Sequence, residues 1–331
     1  MIRLKEIIGQ EQIKNHLQNA LEQQNISHAY LFCGDAGSGR HTMAKAFARA
    51  LLCENPTKEF DACGHCKSCL QAASANHPDI HVITHEKFNI RVDEIREQLN
   101  SDIQIKPYSS PYKIYIIPDA QRMNEQAQNA LLKTLEEPPA YAVIILLCDN
   151  ESALLPTIIS RCVTLQMKPV SQKEIASYLV EKLQMENDVA EIAAGFCQGN
   201  IGQALRFAQS EDFQIMKEQV LKLLKQIDEM PLSSVMEILH TFSKDKGNFY
   251  DYLDLMLLWY RDILMYKATK DTNLLLYRDE YTTISKQATT RSYEELERII
   301  DALNKVKIRL DANVNFELAI ELMLLVIKER N

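Results

Sequence analysis

Long apolar runs are missing from this 331-residue chain, which holds no stretch approaching the roughly 18 to 20 consecutive apolar residues of a membrane-spanning helix. The N-terminal residues carry no apolar core followed by a small-residue cleavage site, so no secretory leader is expected and the cytoplasm is the default compartment. Glycine (9) and proline (10) are scarce for this length, which favours a helix-rich structure. Positive charge is also in deficit, with 37 Lys and Arg against 45 Asp and Glu and a formal net charge of −8. That balance argues against a protein whose main task is gripping nucleic-acid phosphates, although a local basic patch is compatible with it. Disulfides are not expected, because eight cysteines in a reducing compartment serve more readily as metal ligands or buried thiols.

What is present is an ordinary soluble composition, 46% hydrophobic and 25% charged, in a chain longer than one core usually serves. Residues 5–24 have the periodicity of an amphipathic helix, with Ile13, Leu17 and Leu21 on one face. His28–Cys33, Asp79–Thr84, Lys113–Ile117, Ala142–Cys148 and Val163–Met167 read as strands. Helical runs separate them, including Val92–Leu99 and the segment capped by Asn124 and closed by Pro138-Pro139. Strands alternating with helices imply a parallel sheet covered on both faces. Beyond Pro169 no strand is expected. Ser171 and Glu174 form a capping-box pair, a small helical unit ends near Phe207, and residues 212–331 are all-helical, including Tyr250–Tyr266 and Tyr293–Lys328. Leu318, Leu322 and Leu325 share one face, a stripe expected to be that domain's own core.

The residues Gly34-Asp35-Ala36-Gly37-Ser38-Gly39-Arg40-His41-Thr42 lie between a strand and a helix, the context in which a glycine-rich turn can cradle phosphate. Gly34 and Gly39 bracket four residues, as such a loop requires. The two charge-handling positions are altered. Arg40 stands where a phosphate-pairing lysine belongs, and its bulkier planar fork does not substitute for one. His41 stands where a hydroxyl should bind magnesium, and Thr42 is one residue late, about 100° further around the helix. The acidic pair expected after the strand Lys113–Ile117, which would hold magnesium and polarise water, is replaced by Pro118 and Asp119. Both defects point to lost hydrolysis. Asp149-Asn150 reads as a turn.

Cys53, Cys63, Cys66 and Cys69 lie within seventeen residues, with short Cys-x-x-Cys turns that let sulfurs converge on one ion. A structural zinc site is expected, with a redox pair as the competing reading. His65 and His77 are near enough in sequence to compete as ligands.

Ile7-Ile8-Gly9-Gln10, His28-Ala29-Tyr30-Leu31-Phe32, the long motif Asn129–Pro139 and Ser160-Arg161-Cys162 resemble the clamp-loader branch of the AAA+ ATPases. The resemblance spans the whole chain. It implies an AAA+ α/β core over residues 1–167 with a zinc module at about 53–69, a helical lid over 168–210, and an all-α oligomerisation collar over 211–331. It further implies that Arg161 is an arginine finger acting in trans on a neighbouring gamma/tau ATPase subunit. Gamma/tau and delta subunits would be direct partners, with the sliding clamp and primer-template DNA met through the complex. Lys133 would be a weak DNA contact. ATP would not be hydrolysed by this chain, although the complex belongs to a DNA-directed DNA polymerase assembly. A lid arginine common in the ATPase members is matched here by Gly202, and Arg206 is four residues later. Trp259–Asp262 and Leu310–Leu318 resemble the collar. Two alternatives compete with this reading: a weak ATPase in which Arg40 replaces the lysine and Thr42 reaches magnesium after a local shift, or a zinc-dependent DNA-binding adaptor, which the acidic balance disfavours.

Overall fold

The computed structural model describes residues 2–85, 89–208, 211–242, 249–312 and 314–329. The chain divides into two compact units, Met1–Glu174 with Gly199–Gln203, and Ile175–Gln198 with Ala204–Asn331.

The first unit is built on five strands: β1 (Ala29–Cys33), β2 (Ile80–Val82), β3 (Lys113–Ile117), β4 (Ala142–Cys148) and β5 (Val163–Gln166). All pairs are parallel, in the spatial order β2-β3-β4-β1-β5. The five apolar runs read as strands are all present, β3 and β4 over the expected residues. β1, β3 and β4 are buried at every position, which is why they read as continuous apolar runs rather than alternating ones. Successive side chains pass to opposite faces. Tyr30, Phe32, Ile116 and Ile145 pack with Ile13 and Leu17 of α1 (Glu11–Glu22) and Met43 and Phe47 of α2 (Arg40–Leu51).

α3 (Lys67–Ala73) follows the cysteine segment, and α4 (Val92–Ile95) continues through Asn100 as a wider π-type turn. Leu31, Tyr115, Ile144 and Leu146 pack on the other face with Ile95, Leu99 and the inner residues of α5 (Glu125–Glu136) and α6 (Pro156–Ile159). Asn124 Oδ1 accepts from the Ala127 N–H at 2.8 Å, the cap expected for α5.

One helix boundary differs from the periodicity. The segment expected as a helix from residue 5 forms a short turn, Leu4–Glu6, and α1 begins only at Glu11. Gly9 (φ 62°) and Gln10 (φ 58°) both take left-handed backbone, which a right-handed helix cannot include.

No strand follows β5 among the described residues. α7 (Gln172–Leu183) opens with the expected reciprocal pair, Glu174 N–H to Ser171 Oγ at 3.3 Å and Ser171 N–H to Glu174 Oε2 at 3.2 Å. It is followed by α8 (Asn187–Phe196), α9 (Ile201–Ala208), α10 (Glu211–Gln226) and α11 (Leu232–Phe242). The chain ends in α12 (Phe249–Thr269), α13 (Tyr281–Thr290), α14 (Tyr293–Asp311) and α15 (Phe316–Lys328).

Within the second unit Trp259 is fully buried, and its indole N–H donates to Gln287 Oε1 at 2.8 Å. Gln287 in turn donates to the Leu224 carbonyl at 3.0 Å, tying α12, α13 and α10 together. Asp262 is also fully buried and accepts from the backbone N–H groups of Leu276 (2.7 Å) and Tyr277 (2.8 Å). The segment Trp259–Asp262 therefore holds the interior of this unit.

Two expectations for the C-terminal residues are corrected. Tyr293–Lys328 is two helices rather than one: α14 ends at Asp311 and Asn315 caps α15, its Oδ1 accepting from the Leu318 N–H at 3.1 Å. Asn313 lies outside the described residues. Leu318, Leu322 and Leu325 do not form the core: they are 51%, 39% and 48% exposed, while Ala319, Ile320, Met323, Leu324 and Ile327 are buried. α15 is apolar on most sides, so helical spacing alone does not say which stripe faces inward.

Candidate functional site

In a parallel α/β sheet ligands gather at the carboxyl edge of the strands. Three of the segments singled out in the sequence meet that edge here: the glycine loop after β1, Pro118-Asp119 after β3 and Asp149-Asn150 after β4. The Gly34 N–H donates to the Cys148 carbonyl at 3.1 Å, and Gly39 caps α2 in a left-handed conformation. The strand-loop-helix corner of a phosphate cradle is thus retained. Arg40, the first residue of α2, is 5% exposed, and its Nε and Nη1 have no hydrogen-bond partner among the described residues. Its charge is drawn into the protein, whereas a phosphate-pairing lysine must meet a ligand. His41 is exposed and Thr42 half-buried.

Gly199–Gln203 lies directly on this loop. The Gly202 N–H donates to the Gly37 carbonyl at 2.9 Å, and Asn200 Nδ2 donates to the Ala36 carbonyl at 2.7 Å. Asn200 Oδ1 meanwhile accepts from the Gln203 N–H at 3.0 Å, capping α9. A Cβ on Gly202 would stand 2.8 Å from Gly37 Cα, and one on Gly37 would stand 2.2 Å from Asn200 Oδ1. Glycine is needed at 202 for this contact with the Gly37 backbone, Gly37 itself has a left-handed φ of 87° that favours glycine, and an arginine at position 202 could not enter without separating the two segments. The sequence shows Gly202 only as a missing arginine; the partner that requires a glycine there is 165 residues away.

At the end of β3, Pro118 offers no ligand atom, and Asp119 (φ 49°) starts the turn Ala120–Arg122. Asn150 Oδ1 accepts from the Ser152 N–H at 2.9 Å, a local turn bond of the kind expected there. The positions for a magnesium hydroxyl, a magnesium carboxylate and a lid arginine hold His41, Pro118 and Gly202, so this set does not fit magnesium-ATP.

Arg161 lies at the other edge. It follows α6 and precedes β5, whose first residue, Val163, pairs with Tyr30 near the start of β1. The glycine loop leaves the far end of β1, roughly 13 Å further along at about 3.3 Å per residue. The Arg161 side chain is 35% exposed, with Nη1 donating to the Thr157 carbonyl and Nη2 to Glu136 Oε1, both at 2.9 Å. Neighbouring Cys162 packs on the sheet core, and burial pushes its thiol up to about 12, which makes it a poor nucleophile. Lys133 is exposed on α5, three residues before Glu136.

Cys53, Cys63, Cys66 and Cys69 come together as expected, with all four sulfurs within 4.8 Å of one another. Sγ separations are 4.0 Å for Cys53–Cys66, 4.0 Å for Cys63–Cys69 and 3.7 Å for Cys53–Cys69. Four sulfurs about 2.3 Å from a central ion at tetrahedral angles would be about 3.8 Å apart, so the group could hold a metal ion. Backbone N–H groups of Cys63, Cys66 and Cys69 point at the sulfurs of Cys53, Cys63 and Cys66 at 3.3–3.4 Å, as outer hydrogen bonds to ligating sulfurs do. The histidines do not join the cluster. His65 is exposed beside the Cys63 carbonyl. His77 Nδ1 accepts from the Asp79 N–H at 3.1 Å, and its Nε2 lies 3.0 Å from Ser68 Oγ, which donates to the Leu52 carbonyl.

A parallel sheet with a glycine corner at one edge, a Ser-Arg-Cys arginine at the other and a helical second unit defines a protein of the AAA+ class. Comparison with known proteins narrows this. Residues 9–171 match the family described as DNA polymerase III, delta subunit, and residues 214–329 match its C-terminal family. The DNA polymerase III subunit delta' of Bacillus subtilis is 30% identical over 323 residues, covering 97% of this chain and 96% of that protein. The tau subunit of the same organism is 30% identical over 328 residues, but this chain covers only 57% of its length. The crystal structure of a DNA polymerase III gamma subunit-related protein from Thermotoga maritima shares the fold, with a TM-score of 0.51 and 24% identity over 96% of this chain and 98% of that one. The chain belongs to the DNA polymerase III delta-subunit family and resembles its delta' members. Among the described residues no helix is long and apolar enough to cross a membrane.

Proposed function

We propose that this chain is the non-hydrolysing, delta'-type subunit of a bacterial sliding-clamp loader, and that it supplies Arg161 in trans to an adjacent gamma/tau ATPase. The observation that carries this reading is the separation of the two edges. The chain's own glycine corner lacks the residues that handle magnesium-ATP and is covered by Gly199–Gln203. Its Ser-Arg-Cys arginine stands partly exposed at the opposite edge, where it cannot serve that corner. A guanidinium stabilises negative charge developing on transferred phosphoryl oxygens, so a subunit without a working site can complete a neighbour's.

The four-cysteine module holds zinc structurally, since four thiolates close a tetrahedral shell and leave no open position for catalysis. The helices of residues 211–331 form the collar. Their outward stripe of Leu318, Leu322 and Leu325 is the kind of exposed apolar surface that marks an interaction site. Gamma/tau and delta subunits are the direct partners, the clamp and primer-template DNA are reached through the complex, and Lys133 adds a minor phosphate contact. The work is cytoplasmic.

Mixing the purified chain with tau- and delta-type subunits is expected to give one co-eluting complex in size-exclusion chromatography. Leu322→Glu, which places a charge on an exposed position of α15, is expected to weaken co-elution while leaving the chain folded. Separate elution of the wild-type chain would contradict the assignment.

A further inference from the structure

Arg161 is held within its own subunit. Nη1 donates to the Thr157 carbonyl, one turn back at α6, and Nη2 donates to Glu136 Oε1, each at 2.9 Å. Glu136 is the last residue of α5, a helix fixed by its Asn124 cap and by the buried residues Ala127, Leu131 and Leu135. The carboxylate therefore stands on a rigid element at the amino edge of the sheet. A guanidinium has five N–H donors, and these two bonds use two of them. The others, Nε–H included, remain available to an anionic group. The pair is half-exposed, so it contributes little to folding. Its consequence lies in where it directs the fork: a long flexible side chain held at two points loses less freedom when it meets phosphoryl oxygens.

We propose that Glu136 is a positioning residue for Arg161, fixing the guanidinium in the orientation from which it engages the neighbouring subunit's ATP. This rests on the reading of Arg161 as a residue acting in trans. The opposite role is physically conceivable, because a carboxylate beside an incoming phosphate also repels it. Two-point anchorage with donors left over favours positioning, and the two roles predict opposite signs.

The test measures ATP turnover of the complex reconstituted with tau- and delta-type subunits. Glu136→Ala is expected to slow the one site that Arg161 serves by roughly three- to tenfold, as misplacement of a charge-stabilising group does, so that turnover of the complex falls by no more than that site's share, with KM for ATP unchanged because ATP is bound by the neighbour. Glu136→Gln keeps an acceptor oxygen for Nη2 and should recover most of the loss. In an Arg161→Ala background Glu136→Ala should have no further effect. If Arg161→Ala lowers turnover and Glu136→Ala leaves it unchanged or raises it, the positioning role is overturned and the trans reading stands. A further loss in the Arg161→Ala background would also overturn it, since Glu136 would then act elsewhere. If Arg161→Ala itself changes nothing, both fall.

Discussion

Arg161→Ala is expected to leave the chain folded and able to assemble, yet to lower ATP turnover of the reconstituted complex. The structural cost is small. The side chain is 35% exposed, and its ion pair with a half-exposed Glu136 is worth about 0–1 kcal/mol of stability. The chemical cost at the site it serves is large, because an arginine that neutralises charge in phosphoryl transfer contributes roughly 10³–10⁵-fold in rate. Bulk turnover should therefore fall by that one site's share, with the remaining sites still active. Arg161→Lys should not restore it, since an ammonium cannot reproduce the planar fork that here bridges Thr157 and Glu136. Steady-state ATPase measurement on matched complexes checks both variants. Full turnover with Arg161→Ala would remove the arginine from the mechanism.

Loss of the metal site should have the largest effect on structure. Purified chain is expected to contain zinc, and Cys69→Ser to lose it, as read by elemental analysis. Cys69 is fully buried at the start of α3, and the small cluster around it contains only Ala62, Cys66 and Cys69 as buried apolar residues, with Cys53 and Cys63 partly buried. So little apolar surface cannot hold a segment of this length by itself. A structural zinc supplies an apparent binding free energy of about 10–16 kcal/mol in small zinc-dependent modules at neutral pH. The segment 54–66 should accordingly become a site of rapid proteolysis in the variant or after chelation. The sheet should survive, because its two packed faces are built from other residues. Zinc-free wild-type protein that is equally resistant to protease would contradict this.

Much of this was legible in the residues, for identifiable reasons. β3 and β4 are buried along their whole length, so their apolar runs leave little ambiguity and their boundaries coincide with the sequence pattern. The cysteine cluster was visible because short Cys-x-x-Cys turns need only local geometry to converge. The failures share a cause in tertiary context. α1 starts late because two successive residues adopt left-handed backbone where the turn demands it. Leu318, Leu322 and Leu325 face outward because the other side of α15 offers an equally apolar stripe. The contact between Gly202 and Gly37, and the bond between Glu136 and Arg161, join residues far apart in sequence. A reader of the sequence sees one glycine too many and an ordinary helix-end glutamate. Only the fold supplies their partners.

On the proposed reading this chain serves phosphoryl transfer elsewhere without performing it at its own glycine corner. Magnesium-dependent ATP hydrolysis by the purified chain alone is the decisive assay. The expected result is turnover no higher than a no-protein control; hydrolysis at ordinary AAA+ rates that depends on magnesium and is abolished by changing Arg40 or Thr42 would contradict it.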